Sequence, residues 1–261
     1  MIFNFLILKF SINVSFVDYR VGSQSSGWSS TFEFQTFANS TKWFPRLALY
    51  GDLGFENADI LPFLSKDVEN KLVDAIFHIG DMAYNLHDKH GEQGHNFMRA
   101  IEKVSSKVPY FTCPGNHEEE KNFTHYDARF SMLGDRNNPN KRAPLSHRIN
   151  NHFHSVDIGP LHIIMFSSEF YFKTKFGFDQ IKYQYEWLKA DLKKANEKRS
   201  ERPWIIAMMH RPMYCLNFPD YTCDYSTLER PDMRTGIHMY KKKDSPREYA
   251  IEPLFYKHGV G

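Results

Sequence analysis

The chain has 261 residues, 41% hydrophobic, 25% charged and 16% aromatic, a composition that excludes disordered, collagenous and coiled-coil proteins. At about 150 residues per domain, this is enough for one large domain or two small ones. A formal net charge of +2, from 33 basic and 31 acidic residues, excludes the broad basic face of a dedicated nucleic-acid binder, and protonating all 13 histidines would raise it to roughly +15.

The opening apolar run, Met1 to Leu8, is cut by Lys9 far short of the ~20 residues of a membrane span. It also lacks the basic start and small-residue cleavage site of a signal peptide. Residues 11 to 37 alternate apolar and polar positions (Ile12, Val14, Phe16, then Phe32, Phe34, Phe37) around Gly22 and Gly27, which predicts a β-hairpin or two edge strands. The polar stretch Ala38 to Pro45 reads as a linker between a small domain at 1–40 and a larger one at 45–261. Strands and helices then alternate: a strand at Arg46 to Tyr50, helical spacing at Ile60 to Val73, a strand at Ala75 to Ile79, a helix at Glu92 to Ser106 and a strand at Pro109 to Thr112. Phe153 to Ser167 reads as a hairpin turning at Gly159-Pro160, followed by a helix at Phe178 to Arg199, a strand at Pro203 to Met209 and a helix at Tyr249 to Tyr256. In the longest helix Ile181, Tyr185, Leu188 and Leu192 share one face. This order predicts an α/β sandwich whose strand ends carry the site.

Four of those strands run into polar residues that a core would not accept. They are Gly51-Asp52-Leu53-Gly54, Gly80-Asp81-Met82-Ala83-Tyr84, Pro114-Gly115-Asn116-His117-Glu118 and His210-Arg211-Pro212. Each places a metal-competent donor directly after an apolar run. Asp, Asn, Tyr and His supply hard oxygen and borderline nitrogen donors, which suit iron, manganese or zinc better than calcium. Adjacent glycines let the backbone turn sharply and leave room for a ligand.

In this order the motifs resemble those of the metallophosphoesterase superfamily, and Tyr84 makes the chain similar to the purple acid phosphatases. The serine/threonine phosphatase branch has Asp-Arg-Gly where this chain has Met82-Ala83-Tyr84. The resemblance covers about residues 17 to 261 and includes Tyr19-Arg20-x-Gly22-Ser23 and Gly27-Trp28-Ser29, which look like the end of the family's fibronectin III-like N-terminal domain. It implies a metallophosphoesterase-type β-sandwich flanked by helices, preceded by a remnant of that β domain at 1–40. It further implies that Asp52 and Tyr84 bind Fe(III), that Asp81 bridges both metals, and that Asn116 and His210 bind a second divalent ion (Zn, Mn or Fe). His117 would contact substrate and assist the leaving group. The implied activity is that of an acid phosphatase: a hydroxide formed at the metals attacks the phosphorus of a small phosphate monoester. The implied setting is secreted or lysosomal, with a homodimer left open and no nucleic-acid partner.

The family's closing Gly-His-x-His pair, one histidine for each metal, has no counterpart, and the chain reads as truncated at both ends. Weak or absent turnover is therefore expected of it. Gly236-Ile237-His238 lacks the second histidine, and His238 reads as a loop residue. The alternatives are a non-catalytic secreted binder of phosphate ligands and a metallophosphodiesterase with the same centre. Asn13, Asn39 and Asn122 begin Asn-x-Ser/Thr tripeptides, glycosylation acceptors on the secretory route. Cys215 and Cys223 are close enough to pair, all three cysteines being free is the other reading, and Cys113 is odd. Trp43, Trp187, Tyr185 and the stretch Phe166 to Phe178 read as core, and Lys189 to Arg202 as a solvated helix face.

Overall fold

The computed structural model describes residues 16–132, 151–172, 178–214, 233–238 and 247–261. Strands β1 (Phe16–Tyr19), β2 (Gly22–Ser23), β3 (Gly27–Trp28) and β4 (Phe32–Gln35) form two small antiparallel ribbons, β1 with β4 and β2 with β3. Where a β-hairpin or two edge strands were expected over 11–37, the described part holds two antiparallel pairs. The Tyr19 hydroxyl donates to the Ser106 carbonyl at 2.9 Å, tying the ribbons to the helical layer of the larger unit.

Two three-stranded sheets form the centre. The first runs β5 (Leu47–Tyr50), β6 (Ala75–Ile79), β7 (Tyr110–Cys113), all parallel, with Leu49, Phe77 and Phe111 in register. The second has β8 (Phe153–Ile158) antiparallel to β9 (Leu161–Phe166), and β9 parallel to β10 (Trp204–Met208). Their inner faces meet through Ala75, Phe77, Phe111 and Cys113 on one side and Ile158, Ile163, Met165 and Met208 on the other. Phe77 stacks on Phe111 at 5.0 Å. Each fully buried side chain of this size stabilises the fold by roughly 1.5–3 kcal/mol. Period-2 alternation sends the intervening residues outward, so Ile76 packs under α1 (Leu61–Glu69) and α2 (Glu92–Ser105), while Ile164, Phe166 and Ile205 lie in the same cluster as residues of α5 (Asp179–Glu197) and α6 (Ile251–His258).

Central strand β6 is covered on both faces and reads as a nearly continuous apolar run, as buried parallel strands do. Its one polar member, His78, is fully buried; its Nδ1 lies 2.8 Å from the Tyr110 hydroxyl, which accepts from Tyr50 at 2.9 Å. Burial pushes His78 down to about 3, so it stays neutral.

Two short helices were absent from the sequence reading: α3 (Glu120–Arg129), whose Lys121, Asn122 and Phe123 have positive φ, and α4 (Glu169–Phe172). His238 is not a loop residue. It lies in β11 (Ile237–His238), paired antiparallel with β12 (Arg247–Glu248), because the two backbones satisfy each other's hydrogen bonds there. The basic run Lys189 to Arg202 is only partly a solvated face: Arg199 donates to the carbonyls of Pro203, His258 and Gly259 and so holds the end of α6. Trp187 is core as expected, packed on Phe153 at 5.1 Å. Cys113 is a free buried thiol; Cys215, Cys223 and Asn13 lie outside the described residues, and Asn39 and Asn122 are exposed. Among the described residues no helix is long and apolar enough to cross a membrane.

Candidate active site

The turns leaving β5, β6, β7 and β10 meet at one edge of the two sheets. Asp52 follows β5 with φ 55° and donates its N–H to the Gly80 carbonyl at 3.1 Å. Asp81 and Tyr84 follow β6 with φ of 52° and 47°. Non-glycine residues in the left-handed region cost energy, and such strain concentrates where a site must be held in shape. The glycines are required by closeness. A Cβ on Gly80 would fall 2.7 Å from both the Gly115 nitrogen and His210 Nδ1, and one on Gly115 would fall 2.3 Å from Asp81 Oδ1.

All six predicted residues are brought together. Tyr84 donates its hydroxyl to Asp52 Oδ1 at 2.9 Å. His210 Nε2 is 3.2 Å from Asn116 Oδ1 and 3.5 Å from Asp81 Oδ1. The His117 N–H donates to Asp81 Oδ1 at 3.0 Å, its ring Nε2 lies 3.8 Å from Asp81 Oδ2, and the ring packs edge-on against Tyr84 at 4.7 Å. Single donor atoms of Asp52, Asp81 and His210 all lie within 4.8 Å of one another. Among the described residues no other group of three His, Cys, Asp or Glu donors comes close enough to hold an ion.

The electrostatics are strongly coupled. Burial alone would lower His210, but the hydrogen bond and charge of Asp81 override it and hold the imidazole up to about 9. Burial would raise Asp81, yet His210 and the His117 N–H keep its carboxyl below the usual range. Burial, followed by the hydrogen bond and charge of Asp52, pushes the Tyr84 phenol up to about 12. His210 Nδ1 sits 2.9 Å from the Ile79 carbonyl, so the proton on that nitrogen is donated to backbone and Nε2 faces the oxygen donors. Metal-binding histidines are oriented in this way.

Two contributors were missed by the motif reading. Glu118, 2% exposed, accepts the N–H groups of Asp81 and Gly115 on Oε2 at 2.8 and 2.9 Å and that of Met82 on Oε1 at 2.9 Å. It thus joins the turn after β6 to the turn after β7. Burial raises its carboxyl to about 7, while the Gly115 and Met82 donors pull the other way. Asn85 Oδ1 lies 2.9 Å from His117 Nδ1 and fixes that ring. Position was the available signal: Glu118 closes the Gly-Asn-His-Glu motif, and Asn85 follows Tyr84.

The donor set of carboxylates, phenol, amide oxygen and imidazole, without a thiolate, fits hard or borderline cations such as iron, zinc or manganese. The profile of the calcineurin-like phosphoesterase family matches residues 45–247. The chain belongs to the calcineurin-like phosphoesterase family. This phosphoesterase is 44% identical over 242 residues to acid phosphatase type 7 of Homo sapiens, covering 93% of the chain and 50% of that relative. It is 26% identical over 279 residues to purple acid phosphatase 15 of Arabidopsis thaliana, covering 90% of the chain and 48% of that protein. The phosphoesterase chain thus spans about half the length of these curated relatives. Its fold matches the solved purple acid phosphatase PPD1 from yellow lupin (Lupinus luteus) seeds with a TM-score of 0.62 at 18% identity, over 94% of this chain and 42% of that one.

Proposed function

We propose that this chain carries the catalytic centre of an acid phosphatase acting on small phosphate monoesters. In this reading Asp52 and Tyr84 hold Fe(III), Asn116 and His210 hold a second divalent ion, Asp81 bridges the two, and His117 acts on the ester. The observation that carries it is the convergence of the Asp52, Asp81 and His210 donor atoms within 4.8 Å, with Tyr84 and Asn116 bonded into the same cluster. The names of the curated relatives support the same reading.

When bound, a pair of cations polarises phosphoryl oxygens and lowers the pKa of water. The protein's own groups do the rest. Asp81 has a carboxylate oxygen facing each of His210 and His117, an arrangement suited to spanning two ions. Tyr84 would hold a trivalent cation as the phenolate, its proton passing to solvent, and its hydrogen bond to Asp52 keeps the phenol oxygen beside that carboxylate. Asn116 offers a neutral oxygen, which leaves the ion it binds more electrophilic than a further carboxylate would. His117, steadied through Nδ1 by Asn85, presents its other nitrogen as the group that protonates the departing alcohol. The proposal also includes a fibronectin III-like β segment within 1–40 and passage through the secretory route with glycans on exposed Asn39 and Asn122.

The test is metal stoichiometry and a visible spectrum of the purified chain, alongside hydrolysis of a chromogenic phosphate ester at acidic pH. Bound iron with a tyrosinate charge-transfer band and measurable turnover is the expected result. A chain that takes up no iron, zinc or manganese and hydrolyses nothing refutes the proposal.

A further inference from the structure

The residue after His210 is held in a way that the metal-binding roles do not use. Arg211 donates its backbone N–H to Ser168 Oγ at 3.0 Å, and Ser168 Oγ in turn donates to Glu169 Oε1 at 3.1 Å. Its Nε lies 2.9 and 3.1 Å from the two oxygens of Glu169, a carboxylate with no exposed surface. The guanidinium carbon sits 4.6 Å over the Phe172 ring. Backbone, Nε and ring face are thus fixed by three contacts, one from Ser168 in the turn after β9 and two from Glu169 and Phe172 of α4. Neither terminal amino group has a hydrogen-bond partner among the described residues, and the side chain is 21% exposed.

A structural ion pair has no need of this arrangement. A guanidinium that existed only to neutralise Glu169 would meet it with its two-pronged end, the geometry that gives the strongest bonds. Here the less accessible Nε is used, and the four N–H donors of the fork are left unspent. The buried carboxylate offsets the cost of bringing a cation close to a metal-binding centre. Arg211 follows His210 directly, with Cα atoms ~3.8 Å apart, so its backbone stands at the edge of the donor cluster.

We propose that Arg211 is a phosphate-binding residue, its free guanidinium fork receiving two oxygens of the substrate phosphoryl group, with Glu169 and Phe172 as its positioning residues. The proposal rests on the phosphoesterase reading of the same site and adds to it the group that selects a phosphoryl dianion over a neutral ester. No covalent step is involved.

The experiment titrates inorganic phosphate into the full chain by calorimetry, for wild type, Arg211→Met and Arg211→Lys, with metal content, thermal midpoint and ester hydrolysis measured on the same preparations. Arg211→Met is expected to weaken phosphate binding roughly 10- to 100-fold, with KM raised in parallel, while metal content stays at the wild-type level. Arg211→Lys keeps a cation opposite Glu169 but has no fork, so it is expected to retain the thermal midpoint and still lose most of the affinity. This variant keeps the test valid should Arg211→Met fail to fold. Phosphate affinity unchanged in Arg211→Lys, or absent in wild type, overturns the proposal. Wild-type turnover with unchanged phosphate affinity in the variants refutes the role of Arg211 alone. Phosphate binding that disappears in both variants, in a chain that takes up no metal and hydrolyses nothing, supports the role of Arg211 and refutes the hydrolase reading.

Discussion

His162→Gln should cost stability at acidic pH and little at alkaline pH. His162, 8% exposed at the start of β9, has Nδ1 2.7 Å from Asp157 Oδ1 and Nε2 2.9 Å from Asp191 Oδ2. Only the imidazolium can donate to both. Burial opposes that charged form, but the two carboxylates outweigh it and hold the group above its ordinary value. A histidine whose pKa is raised by folding stabilises the fold fully below its unfolded value of about 6.5, and that contribution fades as pH rises through the folded value. The gain is ~1.4 kcal/mol for each unit of elevation. Asp191, with 15% of its side chain exposed, carries most of it, since Asp157 at 36% is screened by solvent and already faces Arg202 at 3.4 Å. Glutamine keeps one donor and loses one charge-assisted bond, so the expected cost is ~1.5–3 kcal/mol at about pH 5, falling below ~1 kcal/mol at about pH 9, where neutral histidine also donates only once. Urea unfolding followed by circular dichroism at both pH values measures the difference. A cost that is equal at the two values, or larger at the alkaline one, refutes the reasoning.

Asp81→Ala should strip both metals from the purified chain, whereas His117→Ala should leave them bound and mainly slow turnover; equal metal loss in the two variants, read by elemental analysis, contradicts the assigned roles. Gly115→Ala places a Cβ 2.3 Å from Asp81 Oδ1 and is expected to weaken metal binding roughly 10- to 100-fold, measured by competition with a chelating dye. Unchanged affinity would mean that the turn yields freely. Glu118→Ala leaves three buried N–H groups without their acceptor and should lower the metal-free unfolding free energy by ~3 kcal/mol or more, a loss that water entering the space would reduce; a change under ~1 kcal/mol in denaturant titration argues against its organising role.

Much of the architecture is written locally. The strands β5, β6, β7 and β10 are short apolar runs, most completely in β6, which is covered on both faces, and the helices that follow in the chain carry a 3.6-residue apolar stripe, so residue type and spacing suffice to find them. The site residues were legible for a related reason: a charged or amide side chain directly after such a run has no place in the core. Where pairing is long-range, local pattern was insufficient. The helix at Glu120–Arg129 has a polar, aromatic-dotted sequence and three residues of positive φ, and it is fixed by Phe123 and Tyr126 entering a core assembled from distant segments. His238 joins a strand only because Arg247 lies opposite.

The amino-acid sequence by itself determined which side chains could bind a cation and which strand each would follow. The tertiary structure decided how they meet. Parallel pairing of β10 with β9, and packing of that sheet on β5–β6–β7, carry His210 across to Asn116 and Asp81, a contact spanning 94 residues for the first pair. Pairing of β6 with β7 gives Glu118 its three backbone donors, pairing of β9 with β10 sets Glu169 beneath Arg211, and the β8–β9 hairpin with α5 clamps His162 between two carboxylates. None of these is visible in a linear pattern, because each depends on the free energy of burying a polar group, and that is fixed only when distant segments close around it.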